Sequence, residues 1–187
     1  MKKKYLYPVL SLVVVTGLAL WSFAATSIPN QRIAEILDSE ATLLSPSMKQ
    51  ELNANIHELS LEYQIDPLLV MAIVTVESHF QPQARSYVGA LGLMQVRPIV
   101  LREVEKDLGR KLNHSPHALL DPQTNLRVGI HYFGFLLKRF GGDIALALKA
   151  YNEGPTRVAH LYQKRAIPKS HYARKVLAYY DRYREGS

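Results

Sequence analysis

The chain has 187 residues and no cysteine, and its 23 Lys plus Arg outnumber 16 Asp plus Glu to leave a formal charge of +7. The missing thiols exclude a disulfide scaffold, a zinc–thiolate site, a cysteine nucleophile and an acylated N-terminal cysteine. With 48% apolar and 21% charged residues, the composition is that of a globular domain rather than a disordered chain.

Lys2, Lys3 and Lys4 open the chain, and residues 5–25 then run without a charge through Val9, Val13, Val14, Leu18, Trp21 and Phe23. Residues 1–27 read as a targeting segment, to be set apart from the fold. The length falls where a secretory signal and a bilayer span overlap. Ser22-Phe23-Ala24 offers a small-x-small cleavage site, whereas Trp21 suits a membrane interface, so a cleaved signal and a retained membrane anchor both fit. Either way the lysines stay cytoplasmic and the rest is exported, to the periplasm or the outer face of the cytoplasmic membrane. Export removes genomic DNA as a partner, and the lack of thiols suits an oxidising compartment.

Residues 28–47, ending in Ser45-Pro46-Ser47, read as a linker or stalk with one short helix near Ile33, Ile36 and Leu37. Residues 48–187 are long enough for one core and are expected to form a single, monomeric domain. Ser47-Met48-Lys49-Gln50 has capping-box spacing, and Met48, Leu52, Ile56, Leu59 and Tyr63 follow at helical period. Asp66-Pro67 starts a second helix with an N-cap acceptor and a proline at the first position. The residues after it, Leu68 to Val76, are apolar on every face, as in a helix buried all round. Further helices are expected over 98–108, 124–140, 143–152, 155–164 and 170–184, stopped in turn by Gly109, Gly141-Gly142 and Gly154-Pro155. Strand signal is confined to 84–97, where Gly89 and Gly92 punctuate a small hairpin. The class is mainly α.

Glu77 follows the apolar run at the C-terminal end of that buried helix. Desolvation, the negative end of the helix dipole and the lack of a cation within four residues all oppose its ionised form. A carboxyl group so placed keeps its proton toward neutral pH and suits a general acid. A glutamate at a helix end is otherwise an ordinary solvent-facing residue, and Glu77 alone does not decide between the two.

The following segments do bear on it. Glu77-Ser78-His79-Phe80 is followed by Ser86-Tyr87-Val88-Gly89-Ala90-Leu91-Gly92-Leu93-Met94-Gln95, and later by Ala150-Tyr151-Asn152-Glu153-Gly154-Pro155. These resemble the Glu-Ser-x-Phe, Ser-x-x-Gly-Ala-x-Gly-Leu-Met-Gln and Ala-Tyr-Asn-x-Gly-Pro elements of the soluble (SLT) type of lytic transglycosylase. Asp121-Pro122 with Asn125 and Gly129 matches the intervening helix start, so the resemblance runs from about Leu59 to Tyr183. It implies a lysozyme-like, goose-type-like fold and a peptidoglycan substrate, with no cofactor. Glu77 would be the single catalytic acid and base. Ser86 and Gln95 would line the groove and position the sugar acetamido group or the Glu77 carboxyl. Tyr151 would hydrogen-bond near the reacting sugar, with Asn152 in support, and Tyr172 corresponds to the family's Tyr-x-x-x-Val. Arg97 and Val100 depart from the hydrophobic residue and the threonine usual around the proline, and the Glu-Thr pair that often precedes Tyr172 is absent.

Most glycosidases use two carboxylates. Asp66, Asp121 and Asp143 read as helix caps and Glu153 as a turn residue, which leaves Glu77 alone. The 2-acetamido carbonyl of the substrate would then act as nucleophile, and the resemblance implies closure of a 1,6-anhydro ring. A hydrolytic lysozyme of goose type and a non-catalytic wall-binding scaffold of a secretion, conjugation or flagellar assembly are the alternatives. His114 and His117 flank Ser115-Pro116 without an acidic or thiol partner and read as a loop, so no metal is expected. Residues 144–187 carry nine basic side chains against three acidic, a field that favours an anionic partner. Tyr172, Val176, Tyr179 and Tyr183 read as the packing stripe of the last helix.

Overall fold

The computed structural model describes residues 30–109, 111, 115–166 and 168–186. The targeting segment 1–27 and His114 lie outside them. Helix α1 (30–40) is followed by α2 (Pro46–Tyr63), α3 (Pro67–Ser78), α4 (Pro98–Leu108) and a short 3₁₀ helix (Pro116–Leu120). Then come α5 (Pro122–Arg139), α6 (Ile144–Glu153), α7 (Pro155–Gln163) and α8 (His171–Glu185). Among the described residues no helix is long and apolar enough to cross a membrane.

Helix starts follow the side-chain oxygens that satisfy their free N–H groups. Asp66 accepts from Leu68 N, Asp121 from Thr124 N, Asp143 from Leu146 N and Ser170 from Ala173 N. Helix α2 starts earlier than the capping-box spacing at Ser47 suggests. Ser45 is its N-cap and accepts from Met48 N, with Pro46 in the first turn. A proline at that position lacks only an N–H the helix would leave unpaired, and this outweighs the Ser47 signal.

Helix α3 is buried along most of its length. Leu69 through Thr75 are all buried, and each large aliphatic side chain there contributes about 1.5–3 kcal/mol by leaving water. Helix α8 lies along α3, with Val176 and Tyr183 buried as the packing stripe requires. Three of its tyrosine hydroxyls reach α3: Tyr172 donates to Glu77 Oε1 (2.6 Å), Tyr180 to Asp66 Oδ2 (2.7 Å), and Tyr183 shares a hydrogen bond with Thr75 Oγ1 (2.8 Å). Helices α2 and α5 pack together, and α6 bridges α5, α7 and α8.

The described part of the segment expected as a stalk, residues 30–47, contributes to this core. Ile33, Ile36, Leu37 and Ala41 are buried in it. Glu40 binds Arg182 Nη2 at 2.6 Å and accepts from the Tyr183 hydroxyl at 2.8 Å. Arg32 Nε also donates to Tyr183 O at 2.9 Å, and Asn53 Nδ2 of α2 donates to Asn30 O at 3.0 Å, so α1 is tied to both α8 and α2.

The expected hairpin over 84–97 is reduced to two isolated antiparallel bridges, Arg85 with Leu91 and Leu91 with Val96. Tight turns consume the backbone groups a ladder would use: Gly89 N donates to Ser86 O at 3.1 Å, and Gln95 N to Gly92 O at 3.1 Å.

Candidate active site

Glu77 occupies the last turn of α3, followed by two non-glycine residues in the left-handed region, His79 (φ 49) and Phe80 (φ 59). Such residues persist only where packing holds them, and Phe80 is anchored by its nearly complete burial. Burial raises the Glu77 carboxyl from 4.5 to about 7, against the opposing pull of the Tyr172 hydrogen bond, which favours the ionised form. The Tyr172 and Tyr151 hydroxyls are themselves pushed well above 10.0, first by burial and then by the neighbouring Glu77 charge. Both therefore stay protonated as hydrogen-bond donors.

Opposite Glu77, the loop 84–97 is pinned from three sides. Asn125, fully buried in α5, accepts from Met94 N (2.8 Å) and donates to Leu91 O (2.8 Å) and Leu119 O (2.7 Å). Ser78 Oγ, beside Glu77, donates to Leu93 O at 2.8 Å, and the Tyr151 hydroxyl donates to Met94 O at 2.8 Å. Gly92 makes this approach possible. It has φ +74, and a Cβ there would lie 2.3 Å from Asn125 Nδ2 and 2.4 Å from Leu119 O, closer than atoms can pack. The loop is thus fixed to the same helix that carries the carboxyl group.

A groove of ≈370 Å³ opens between these elements. Glu77, Ser86, Gln95, Tyr151 and Asn152 all line it, so the structure gathers five of the six residues singled out from the sequence. Tyr172 is the exception: it is not among the lining residues and reaches the site through the Glu77 carboxyl. Ser86 Oγ accepts from Ala90 N at 2.9 Å, holding its turn. Gln95, left-handed at φ 48, donates to Gly92 O at 3.0 Å and Ala84 O at 3.3 Å. The Tyr151 hydroxyl donates its one proton to Met94 O, so toward a ligand its oxygen is left only as an acceptor. Asn152 is exposed.

Sequence reasoning missed part of the wall. Glu103, Tyr132 and the apolar Val88 and Ile99 line the groove, and so does Glu153, read from sequence as a turn residue. Ile99 and Glu103 are four apart on α4 and so share a face, and Arg97 and Val100 line the groove beside them. Glu153 is neutralised in place: buried Lys149 donates to Oε1 at 2.6 Å and Arg157 Nε lies 3.5 Å from Oε2. Glu77 is the groove carboxylate at the end of a buried helix with its titration moved into the neutral range. Among the described residues no group of three or more His, Asp or Glu is placed to hold a metal ion, and His117 is exposed.

The Tyr172 hydrogen bond carries a prediction. Tyr172→Phe removes a donor to ionised Glu77, so the carboxyl should keep its proton to higher pH than in the wild type. The alkaline limb of the turnover–pH profile on a soluble glycan should move upward, whereas mere loss of packing would lower turnover without moving the limb.

Comparison with known proteins places these residues in a wider pattern. The family described as the Transglycosylase SLT domain matches residues 54–172. The soluble lytic murein transglycosylase of Escherichia coli (strain K12) is 38% identical over 95 residues, covering 51% of this chain and 15% of that protein. The membrane-bound lytic murein transglycosylase C of Photorhabdus laumondii is 32% identical over 151 residues, covering 76% of this chain and 39% of that protein. Among solved structures, the 70 kDa soluble lytic transglycosylase of Escherichia coli superposes with a TM-score of 0.64 at 33% identity, over 72% of this chain and 24% of that one. The chain therefore spans well under half the length of these relatives.

Proposed function

This chain belongs to the transglycosylase SLT domain family and has its helical, lysozyme-like fold, and from that premise we propose that it is a peptidoglycan lytic transglycosylase. In this reading Glu77 is its single catalytic acid and base. The observation that carries the reading is the Glu77 carboxyl itself, which lines the groove and is pushed by burial up to about 7, where a group can both give and take a proton near neutrality.

The proposed reaction begins with a glycan strand in the groove. Protonated Glu77 gives its proton to the glycosidic oxygen between N-acetylmuramic acid and N-acetylglucosamine, and that bond breaks. The 2-acetamido carbonyl of the muramic acid attacks the anomeric carbon and closes an oxazolinium ring, so the substrate supplies the nucleophile that the protein lacks. Glu77, now ionised, takes the proton of the C6 hydroxyl. That oxygen attacks the anomeric carbon, the acetamido carbonyl leaves, and a 1,6-anhydro ring remains with no water consumed. Ser86 and Gln95 would orient the acetamido group, while Tyr151 and Asn152 would flank the reacting sugar. Tyr172 would steady the ionised acid by its hydrogen bond.

An envelope location is part of the proposal: the periplasm or the outer face of the cytoplasmic membrane. The lysine-led apolar leader and the membrane-bound relatives support it. Cutting the wall locally for a secretion, conjugation or flagellar assembly is the setting such an enzyme would serve, because an envelope-spanning assembly needs a gap in the wall.

The test is mass spectrometry of the products released from purified sacculi. Anhydro-muramyl products are expected. Reducing-end muramic acid without them would mean that water reaches the intermediate in place of the C6 hydroxyl, with ionised Glu77 as its base, and would replace this reading with a hydrolytic lysozyme. Binding to sacculi with no release by the wild type would instead leave a wall-binding scaffold.

A further inference from the structure

Between Pro155 and Tyr180 the chain carries six Lys or Arg and no Asp or Glu. The six are Arg157 on α7, Lys164, Arg165 and Lys169 on the link to α8, and Arg174 and Lys175 on α8, and all are exposed. Arg157 lies 3.5 Å from Glu153, whereas the other five make no ion pair with a described residue. Charges crowded on one stretch without counter-charges repel one another and lower stability unless something else uses the field.

This stretch starts at the groove and passes close to its carboxyl group. Pro155 lines the groove, and Tyr172 holds Glu77 through its hydroxyl. Helix α7, nine residues long, extends only about 13 Å from the wall where it starts. The cations thus begin with Arg157, two residues beyond the Pro155 that lines the groove. We propose that this basic face is a second contact surface for the substrate strand, which recognises carboxylates carried by the glycan outside the groove. It rests on the glycan-cleaving reading above. The chemistry recognised is the carboxylate, borne by stem peptides or by the lactyl groups of strands that have lost them. Continuity with the groove favours this occupant over an anionic membrane, which would meet the same charges without engaging the groove.

The test compares the full chain with its Lys164→Gln/Arg165→Gln/Lys169→Gln variant. These three side chains are exposed and do not line the groove. Retention on purified sacculi is measured across a salt series, and turnover of a short soluble muropeptide tetrasaccharide is measured beside it. Retention of the variant at low salt should fall roughly tenfold and its salt dependence should flatten, with turnover of the tetrasaccharide unchanged. Unaltered retention overturns the proposal, and so does an equal loss on the tetrasaccharide, which would place the defect in the groove. Tighter wild-type binding to vesicles containing anionic phospholipid than to sacculi, lost in the variant, overturns it in favour of a membrane surface.

Sacculi stripped by an amidase separate the two sources: retention lost on stripping assigns stem-peptide carboxylates, and retention kept assigns lactyl ones. If the wild type cleaves nothing while its salt-sensitive retention still depends on the three cations, the activity reading fails and the surface stands.

Discussion

Glu77→Gln should abolish anhydro-product formation on sacculi, with turnover down by about 10³-fold, because general acid and base steps each supply roughly 10²–10⁴. Glutamine can still accept the Tyr172 hydrogen bond, so the groove should be kept while the proton is lost. The same substitution should stabilise the protein. Burial moves the carboxyl from 4.5 to about 7, so the folded form holds its proton where the unfolded chain has released it. Below pH 4.5 both states are protonated and Glu77 carries no penalty; stability then falls as pH rises toward 7, and above 7 the full penalty applies. It amounts to about 3 kcal/mol at 1.36 kcal/mol per unit. The variant should therefore melt several degrees higher than the wild type above pH 7, roughly 6–10 °C for a chain of this size, and at nearly the same temperature below pH 4.5. Thermal melts of both proteins at the two pH extremes, with product analysis at neutral pH, check this. Retained turnover would remove Glu77 from the chemistry, and equal melting at high pH would show that the carboxyl is not buried as charge.

The wild-type pH profile follows from the same group. As the acid, Glu77 acts protonated, so turnover should decline above about pH 7, tenfold per unit once the carboxyl is mostly ionised.

Asn125→Ala should be the most damaging change remote from the carboxyl. It removes three buried hydrogen bonds and leaves Met94 N–H, Leu91 O and Leu119 O without that partner. Orphaned buried groups cost about 1–3 kcal/mol each, and as the three share one site the loss should be about 3–5 kcal/mol rather than their sum. Urea unfolding measures it. Asn125→Asp keeps the acceptor for Met94 N–H but turns the donor into an anion facing two carbonyls, so it should do no better than alanine. Turnover should fall with stability, because the loop that Asn125 holds carries Gln95 and receives the Tyr151 hydroxyl at Met94 O. If Asn125→Ala unfolds at the wild-type urea concentration, the loop is held by Gly92 turn geometry and the Ser78 bond instead.

Legibility followed locality. Asp66-Pro67, Asp121-Pro122, Asp143 and Ser170 announce their helices because a cap acts within three residues, and the structure uses each of them. The small hairpin over 84–97 is present as two isolated antiparallel bridges, and its extent was not legible because Gly89 and Gly92 mark turns without revealing how much backbone the turns consume. The segment 28–47 read as a stalk because its apolar face, Ile33, Ile36 and Leu37, has no local partner; Tyr183 and Arg182, which hold it at Glu40, lie some 140 positions away.

The sequence by itself determined the helical class, most helix starts, the exposed basic character of the C-terminal part, and the placement of Glu77 after a run too apolar to meet water. Each of these rests on neighbours within about one or two helical turns. Only the tertiary structure decided that Tyr172, 95 positions on, donates to that carboxyl, that Asn125 fastens the loop opposite it, and that Glu103 and Glu153 share its groove. Those arrangements depend on how helices pack against one another, and a hydrogen bond between distant residues leaves no period or spacing in the chain by which it could be read.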